Sequence, residues 1–381
     1  MVSFAYLSNF KKRKKIKKVI IATALSAVAS AHLFAADSIE GAFAAGKTTG
    51  EISVFTNSTN NSGSTADTGF TIGSLNLLYS TDSFHGLKAN VGMRTTMLID
   101  EKDDGNYDDS EKAVLNVANL EYSRGIGTLI AGRQEIGLEW IGDYHNAVVG
   151  VLSTNGLTLI AGYTESKAVT NSDEPLTKFS KFNGEDGAYV VDATYDIAGH
   201  AKVNAYYMDA PDLFSAVGGK IEGSAMGINV VAKYAQTKED AVDTPDGDIM
   251  AFEAGYSTDA FGVKAGYIAT DKTGGIGSLA ALGDNINPLD TGNAVYGTDA
   301  KTYYVGANAS VAGFDLGALY GSTKYDSYEG VTTAGTEKEL NLTIGKELAK
   351  NFNASILYAD ISAEDSASDS SYISAQLTYS F

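Results

Sequence analysis

The side chains that could carry chemistry are few, and most are acidic. The run Asp100-Glu101-Lys102-Asp103-Asp104-Gly105-Asn106-Tyr107-Asp108-Asp109-Ser110-Glu111 matches a twelve-residue calcium loop at its first, fifth, sixth, ninth and twelfth positions. Asp100, Asp104, Asp108 and Glu111 are its candidate ligands, for low-affinity Ca2+ at most. Lys102 occupies the third position, where an oxygen ligand is needed, so a solvated acidic loop is the simpler reading. Gly274-Gly275-Ile276-Gly277 lacks both the Lys-Ser/Thr pair and the helix that phosphate cradling requires. Hydrolytic chemistry would need a histidine beside an acid or a nucleophile, and past residue 35 only His145, near Asp143, offers such a pair. The expectation is that the protein is not an enzyme and carries no obligatory cofactor.

Composition narrows the classes further. The 381 residues contain no cysteine, which excludes a disulfide framework and thiolate-bound metals. With 47 acidic against 28 basic residues the net charge is −19, and no basic patch follows residue 18, so nucleic acid is not a partner. The basic residues concentrate in Lys11-Lys12-Arg13-Lys14-Lys15-Ile16-Lys17-Lys18, followed by an apolar stretch over 19–35 and small residues at Ala31, Ala35 and Ala36. That is the pattern of a cleaved secretory leader over residues 1–35, with cleavage after Ala35 and with Ala31 and Ala36 as other options. Removing its seven basic residues leaves 21 basic against 47 acidic, a charge of −26.

The elements that must position any site alternate with period two. Leu157-Thr158-Leu159-Ile160-Ala161-Gly162-Tyr163 and Phe261-Gly262-Val263-Lys264-Ala265-Gly266-Tyr267 place an apolar residue at every second position, so each strand has one oily and one wet face. Eighteen such runs can be counted; the weakest lies around 216–221, and losing it with a neighbour would leave sixteen. Connections alternate between short turns (82–86, 125–127, 155–156, 198–200, 222–224, 259–260, 311–313 and 350–351) and longer polar loops (57–68, 100–112, 136–146, 167–186, 208–215, 238–248, 271–300, 325–335 and 361–370). Pro175, Pro211, Pro245 and Pro288 all fall in the long set, where no ladder donor is needed. Tyrosines cluster on the apolar parity at both strand ends, as at the two borders of a lipid layer, and the chain stops on a strand ending in Phe381.

These features predict an all-β, antiparallel transmembrane β-barrel over 48–381, preceded by a short periplasmic segment at 36–47. Hydrocarbon tolerates no open sheet edge, so the first strand, near 51–56, must pair with the last. A barrel of sixteen to eighteen strands leaves an aqueous lumen. Parity points Lys88, Arg94, Lys202, Lys233, Lys264, Glu121, Asp192, Glu253, Asp315, Glu337 and Glu339 inward. Rings of such charges set ion preference in pores, and the acidic excess favours cations.

The stretch Gly127-Thr128-Leu129-Ile130-Ala131-Gly132-Arg133-Gln134-Glu135-Ile136, followed by Trp140 and Ala147-Val148-Val149-Gly150-Val151, resembles the OprD-like outer-membrane porins and the related major outer-membrane-protein porins. The start Ala36-Asp37-Ser38-Ile39-Glu40-Gly41-Ala42-Phe43 is similar too. The resemblance implies an outer-membrane channel of eighteen strands, usually a homotrimer, set among outer-membrane lipid and lipopolysaccharide. It further implies passive flow of ions and small hydrophilic solutes, narrowed by the third loop (136–146) and the seventh (271–300). On that basis Arg133 is the candidate eyelet residue. Only Arg94, Arg124 and Arg133 follow the leader, too few for the arginine ladder of carboxylate-taking members. A surface adhesin or structural barrel with an incidental pore is the competing expectation.

Overall fold

The computed structural model describes residues 36–284 and 286–381; the leader expected over 1–35 lies outside the described residues. A short helix, α1 (Ile39–Ala44), occupies the segment expected before the barrel. Ser38 caps it, its hydroxyl accepting from the Gly41 amide at 2.9 Å. The helix is tied to the first short turn, where the Asp82 amide donates to the Ala42 carbonyl and the Tyr79 hydroxyl to that of Phe43.

Eighteen strands then wind one closed antiparallel barrel. They are β1 (Lys47–Asn61), β2 (Thr68–Ser80), β3 (Leu87–Glu101), β4 (Ala113–Arg124), β5 (Gly127–Glu135) and β6 (Tyr144–Thr154). There follow β7 (Leu157–Ala168), β8 (Ala188–Ile197), β9 (Ala201–Ala210), β10 (Phe214–Ala225), β11 (Ile228–Glu239) and β12 (Gly247–Ser257). The circuit ends with β13 (Phe261–Thr270), β14 (Lys301–Val311), β15 (Phe314–Tyr325), β16 (Gly335–Ala349), β17 (Phe352–Ser362) and β18 (Ser370–Ser380). A two-residue bridge, Ser180–Lys181, adds to the edge of β7 inside the fourth loop. Closure is complete: β1 pairs with β18 from Glu51 opposite Ser380 to Asn61 opposite Ser370. The weak run around 216–221 forms β10, in register with both neighbours, so sixteen strands is ruled out.

Burial inverts the pattern of a water-soluble protein. Leu129, Val148, Val217 and Leu377 are among many large apolar side chains left exposed, while Ser53, Asn116, Glu339 and Ser374 are buried inside. The tyrosines expected to border the apolar band lie outward, with Tyr195, Tyr207, Tyr234 and Tyr379 all exposed. A barrel whose outer face is apolar must meet a solvent that is apolar too.

Two connections differ from expectation. The turn predicted at 222–224 falls at Met226-Gly227, with φ of 50° and 82°, because β10 and β11 stay paired to Ala225 opposite Ile228. The two left-handed residues make the tight hairpin whose twist matches its strands, a conformation Gly227 accepts readily and Met226 does not. The fifth loop, predicted long at 208–215, is a three-residue turn at 211–213, since β9 and β10 pair as far as Ala210 opposite Phe214.

Candidate functional site: the lumen and its inward loops

The third loop (136–143) leaves β5, crosses the lumen and reaches the far wall. At its tip, Trp140 is buried and its indole N–H donates to the Tyr206 hydroxyl of β9 at 2.7 Å. Beside it Glu139 is clamped between Lys220 of β10, at 2.7 Å, and Lys233 of β11. Burial alone would raise the Glu139 carboxyl, but Lys233 and Lys220 override it and hold it down at about 2. Lys233, expected as a lumen charge, is therefore spent on fastening the loop.

The seventh loop (271–300) folds onto the third. The Gly142 amide donates to the Leu282 carbonyl at 3.0 Å, and the rings of Trp140 and Tyr296 lie 6.1 Å apart. Together they bury one apolar cluster in which Ile141, Leu279 and Leu282 meet wall residues from β6 round to β15, among them Val149, Phe214, Ile249 and Leu319. Glu339 on β16 anchors the far end of the loop. Its carboxylate accepts from the amides of Asp290 (2.8 Å), Thr291 (3.1 Å) and Gly292 (2.8 Å), from the Thr291 hydroxyl and from the Asn341 amide. Glu337, one turn of the pleat away, accepts from the Ala294 amide. Both glutamates face inward but hold a loop rather than meet solute.

The fourth loop (169–187) also enters, which nothing in its composition signalled. Ser172 accepts from the Gln376 side chain of β18 at 2.8 Å, and Thr170 lies 3.3 Å from the Asn116 amide of β4. This brings Asp173 and Glu174 into the lumen, where burial pushes both carboxyls up. The second loop contributes Tyr107, packed on Phe70 and Phe55 with its hydroxyl donating to Thr96 at 3.0 Å.

The remaining wall charges divide into pairs. Arg94 is buried on β3, its guanidinium donating to Ser74 at 2.9 Å and pairing with Glu51 at 3.3 Å. Lys264 pairs with Glu253 at 2.8 Å, and Glu253 also accepts from the Tyr304 hydroxyl at 3.0 Å. Asp192 accepts twice from Asn204 at 2.9 Å. Near the short turns, Lys88 sits in register with Glu121, Lys202 with Glu222, and Asp315 accepts from Ser310 at 2.6 Å. Arg133 does not join Arg94. Its guanidinium donates to Asn146 (3.1 Å) and to the Leu115 carbonyl (2.9 Å), and stacks 4.3 Å above the Phe179 ring of the fourth loop.

The acidic second loop does not gather its carboxylates around one point. Glu111 pairs with Lys178 at 2.8 Å, and Asp108 accepts from the Ser110 amide at 3.0 Å. Among the described residues no group of three or more potential ligands could hold a metal ion, so the expected set of Asp100, Asp104, Asp108 and Glu111 is not assembled. Nor do His145 and Asp143 form a reactive pair. The imidazole is sandwiched between Thr164 (2.9 Å) and the Gly142 carbonyl (2.7 Å), while Asp143 pairs with Lys167 at 3.1 Å.

No protein-family model and no curated protein sequence matches the chain. Solved structures do. Acinetobacter baumannii OccAB1 aligns with a TM-score of 0.74 at 12% identity, over 88% of this chain and 96% of that one. Pseudomonas aeruginosa OccK9 (OpdG) aligns with a TM-score of 0.74 at 13% identity, over 89% and 99%. The outer membrane protein opdK from Pseudomonas aeruginosa gives 0.69 at 11%, over 88% and 99%. The likeness is one of fold: this chain, an eighteen-stranded barrel, aligns over nearly the full length of each of those structures.

Proposed function

We propose that the protein is an outer-membrane porin through which ions and small hydrophilic solutes diffuse passively. The observation that carries this reading is the closed eighteen-stranded barrel, exposed and apolar outside, whose polar interior is narrowed by inward loops. Strand number sets the bore, and a barrel of this size is too wide to fill with wall side chains alone. The third, fourth and seventh loops do the narrowing, each fastened to the wall by named groups: Glu139, Ser172 and Glu339. The similar structures support the setting, since opdK of Pseudomonas aeruginosa is an outer membrane protein. Removal of residues 1–35 on export, contact with lipopolysaccharide and assembly as a homotrimer belong to the same reading.

Planar-bilayer recording of the purified full chain tests it. Stepwise ohmic conductance on insertion is expected; insertion without conductance would overturn the proposal in favour of a structural or adhesive barrel. Cross-linking in detergent tests the trimer.

A further inference from the structure

The segment ahead of β1 presents an apolar surface that the barrel leaves uncovered. In α1, Ile39 and Phe43 stand one helical turn apart on the same face, 57% and 54% exposed. Ala42, to one side of them, is buried, and Glu40, to the other, is exposed. Apolar side chains on a loose tail would need no explanation, but α1 is fixed in place. The Ala36 amide donates to the Ser83 carbonyl and the Asp82 amide to that of Ala42, both at 2.9 Å. The Tyr79 hydroxyl reaches the Phe43 carbonyl, and Ser38 caps the first turn. These bonds hold two large apolar side chains pointing away from protein, an arrangement that costs conformational entropy and gains nothing in water.

The neighbours of the pair identify its surroundings. Phe43 stacks on Tyr79 with ring centroids 6.5 Å apart. Tyr79 belongs to the tyrosine row at the short-turn border, where Tyr122, Tyr195, Tyr256 and Tyr379 are exposed on the outer face. On the other flank of β1, Tyr379 and Phe381 stack at 6.1 Å, and Phe381 exchanges two backbone hydrogen bonds with Gly50. Two aromatic pairs thus bracket the strand at which the barrel closes, since Thr48 lies opposite Tyr79 of β2 and Glu51 opposite Ser380 of β18. Ile39 and Phe43 extend this aromatic border rather than starting a separate surface. By themselves they also fall far short of the roughly 800 Å² per partner that a stable protein interface covers.

Resting on the porin reading, which sets the barrel in the outer membrane, we propose that α1 is an interfacial helix whose Ile39 and Phe43 insert into the phospholipid of the periplasmic leaflet. Aromatic rings prefer the boundary between headgroups and acyl chains, and Phe43 touches the row that marks it. A helix lying at that boundary buries its apolar face about 5–10 Å deep and keeps its polar groups among the headgroups. Glu40 and the Ser38 cap stay on the wet side, and the bonds to the first short turn carry the anchorage to the closing seam of the barrel.

Depth-dependent fluorescence quenching of the full chain in phosphatidylcholine vesicles tests the inference separately from the function. Trp140 is the only tryptophan and is buried in the lumen, so Phe43→Trp combined with Trp140→Phe places a single emitter on the helix. Bromine near the headgroup end of the acyl chains should remove most of its emission, bromine near the methyl end less, and aqueous acrylamide little. Heat-modifiable migration on gels checks folding; Ile39→Trp stands in if Phe43→Trp does not fold, and Trp140 stays as a constant background if its replacement does not. Two references use the same background. Ile356→Trp, exposed midway along β17, should answer the deep bromine most, and Val242→Trp, exposed in the sixth loop, should answer acrylamide alone. Emission at position 43 that acrylamide quenches and neither bromine does would overturn the inference, while the Ile356→Trp response keeps the barrel in the membrane. Emission shielded from all three quenchers would seat the helix against protein and overturn it as well. An Ile356→Trp signal blind to both bromines would overturn the porin reading itself.

Discussion

The third and seventh loops close the same lumen by opposite means. The third is short and is pinned by charge, with Glu139 locked between Lys220 and Lys233 on the far wall. The seventh is long and is pinned by hydrogen bonds, its backbone amides converging on the buried carboxylate of Glu339. A short loop has few backbone groups to offer, so a strong pair of ions at its tip must do the fastening. A long loop can spread the load over many amides, each worth roughly 1 kcal/mol net. The difference predicts how each loop fails.

The largest effect is expected from Glu139→Ala. It removes the carboxylate shared by Lys233 and Lys220, each under a fifth exposed, and leaves Lys220 only its longer 3.8 Å pair with Glu222; breaking a buried pair from one side costs about 3–5 kcal/mol. Conductance should rise and become noisy as the third loop leaves the far wall; unchanged single-channel traces would show that Trp140 and the apolar cluster hold it unaided. Glu339→Ala should come next, at about 2–3 kcal/mol, because the amides of 290–292 lose their acceptor but part of them can turn to solvent. Hydrogen exchange at those amides should quicken while exchange in the third loop stays slow. If both loops loosen together in either variant, they are one cooperative unit and the contrast drawn above fails.

How much of this was legible beforehand follows from where each determinant resides. Strand alternation, tyrosine placement and barrel closure are written in single strands and could be read there; β10, the weakest run, still obeyed its parity. Loop destinations were not legible in the same way. Glu139 lies far in sequence from Lys220 and Lys233, and only the curvature of the sheet brings them together. The fourth loop carries Ser172 and Asp173 into the lumen through a contact with Gln376, and no local pattern marks Ser172 for that role. Glu337 and Glu339 were placed on the correct face, yet parity cannot distinguish a charge that meets solute from one that meets a loop. The misplaced turn at 222–224 has a local cause: Gly223 offers a turn residue, whereas the true turn begins at Met226, which does not.

The two anchors should also answer pH in opposite directions. The Glu139 carboxyl is held down at about 2 by Lys233 and Lys220 against the pull of burial. Its contribution is complete above the ordinary glutamate value and is lost as pH falls toward 2. Asp290, beside the Glu339 clasp, is raised to about 7, by burial first and then by Glu339. The packed loop therefore holds a proton that a released loop would give up near the ordinary aspartate value. That contribution is complete at low pH and disappears as pH rises through 7. Recording from pH 5 to pH 8 should bring flicker of the seventh loop with no change in the third, and Asp290→Asn should abolish the dependence. Flicker that grows toward acid in this range would assign the response to another group.

The smallest change concerns a neutral contact at the tip of the third loop. Trp140→Phe removes the indole N–H that reaches Tyr206 while keeping most of the ring in the apolar cluster. The lost bond is worth about 1 kcal/mol, and a slightly smaller ring adds a comparable packing loss. Because the Glu139 clamp remains, open-channel conductance should stay within error of wild type and only the thermal midpoint should fall. Combining Trp140→Phe with Glu139→Ala then separates the two contributions. A sum larger than the single effects would mean that tryptophan holds the loop only while the ions place it, and that charge, not packing, chooses where the third loop lands.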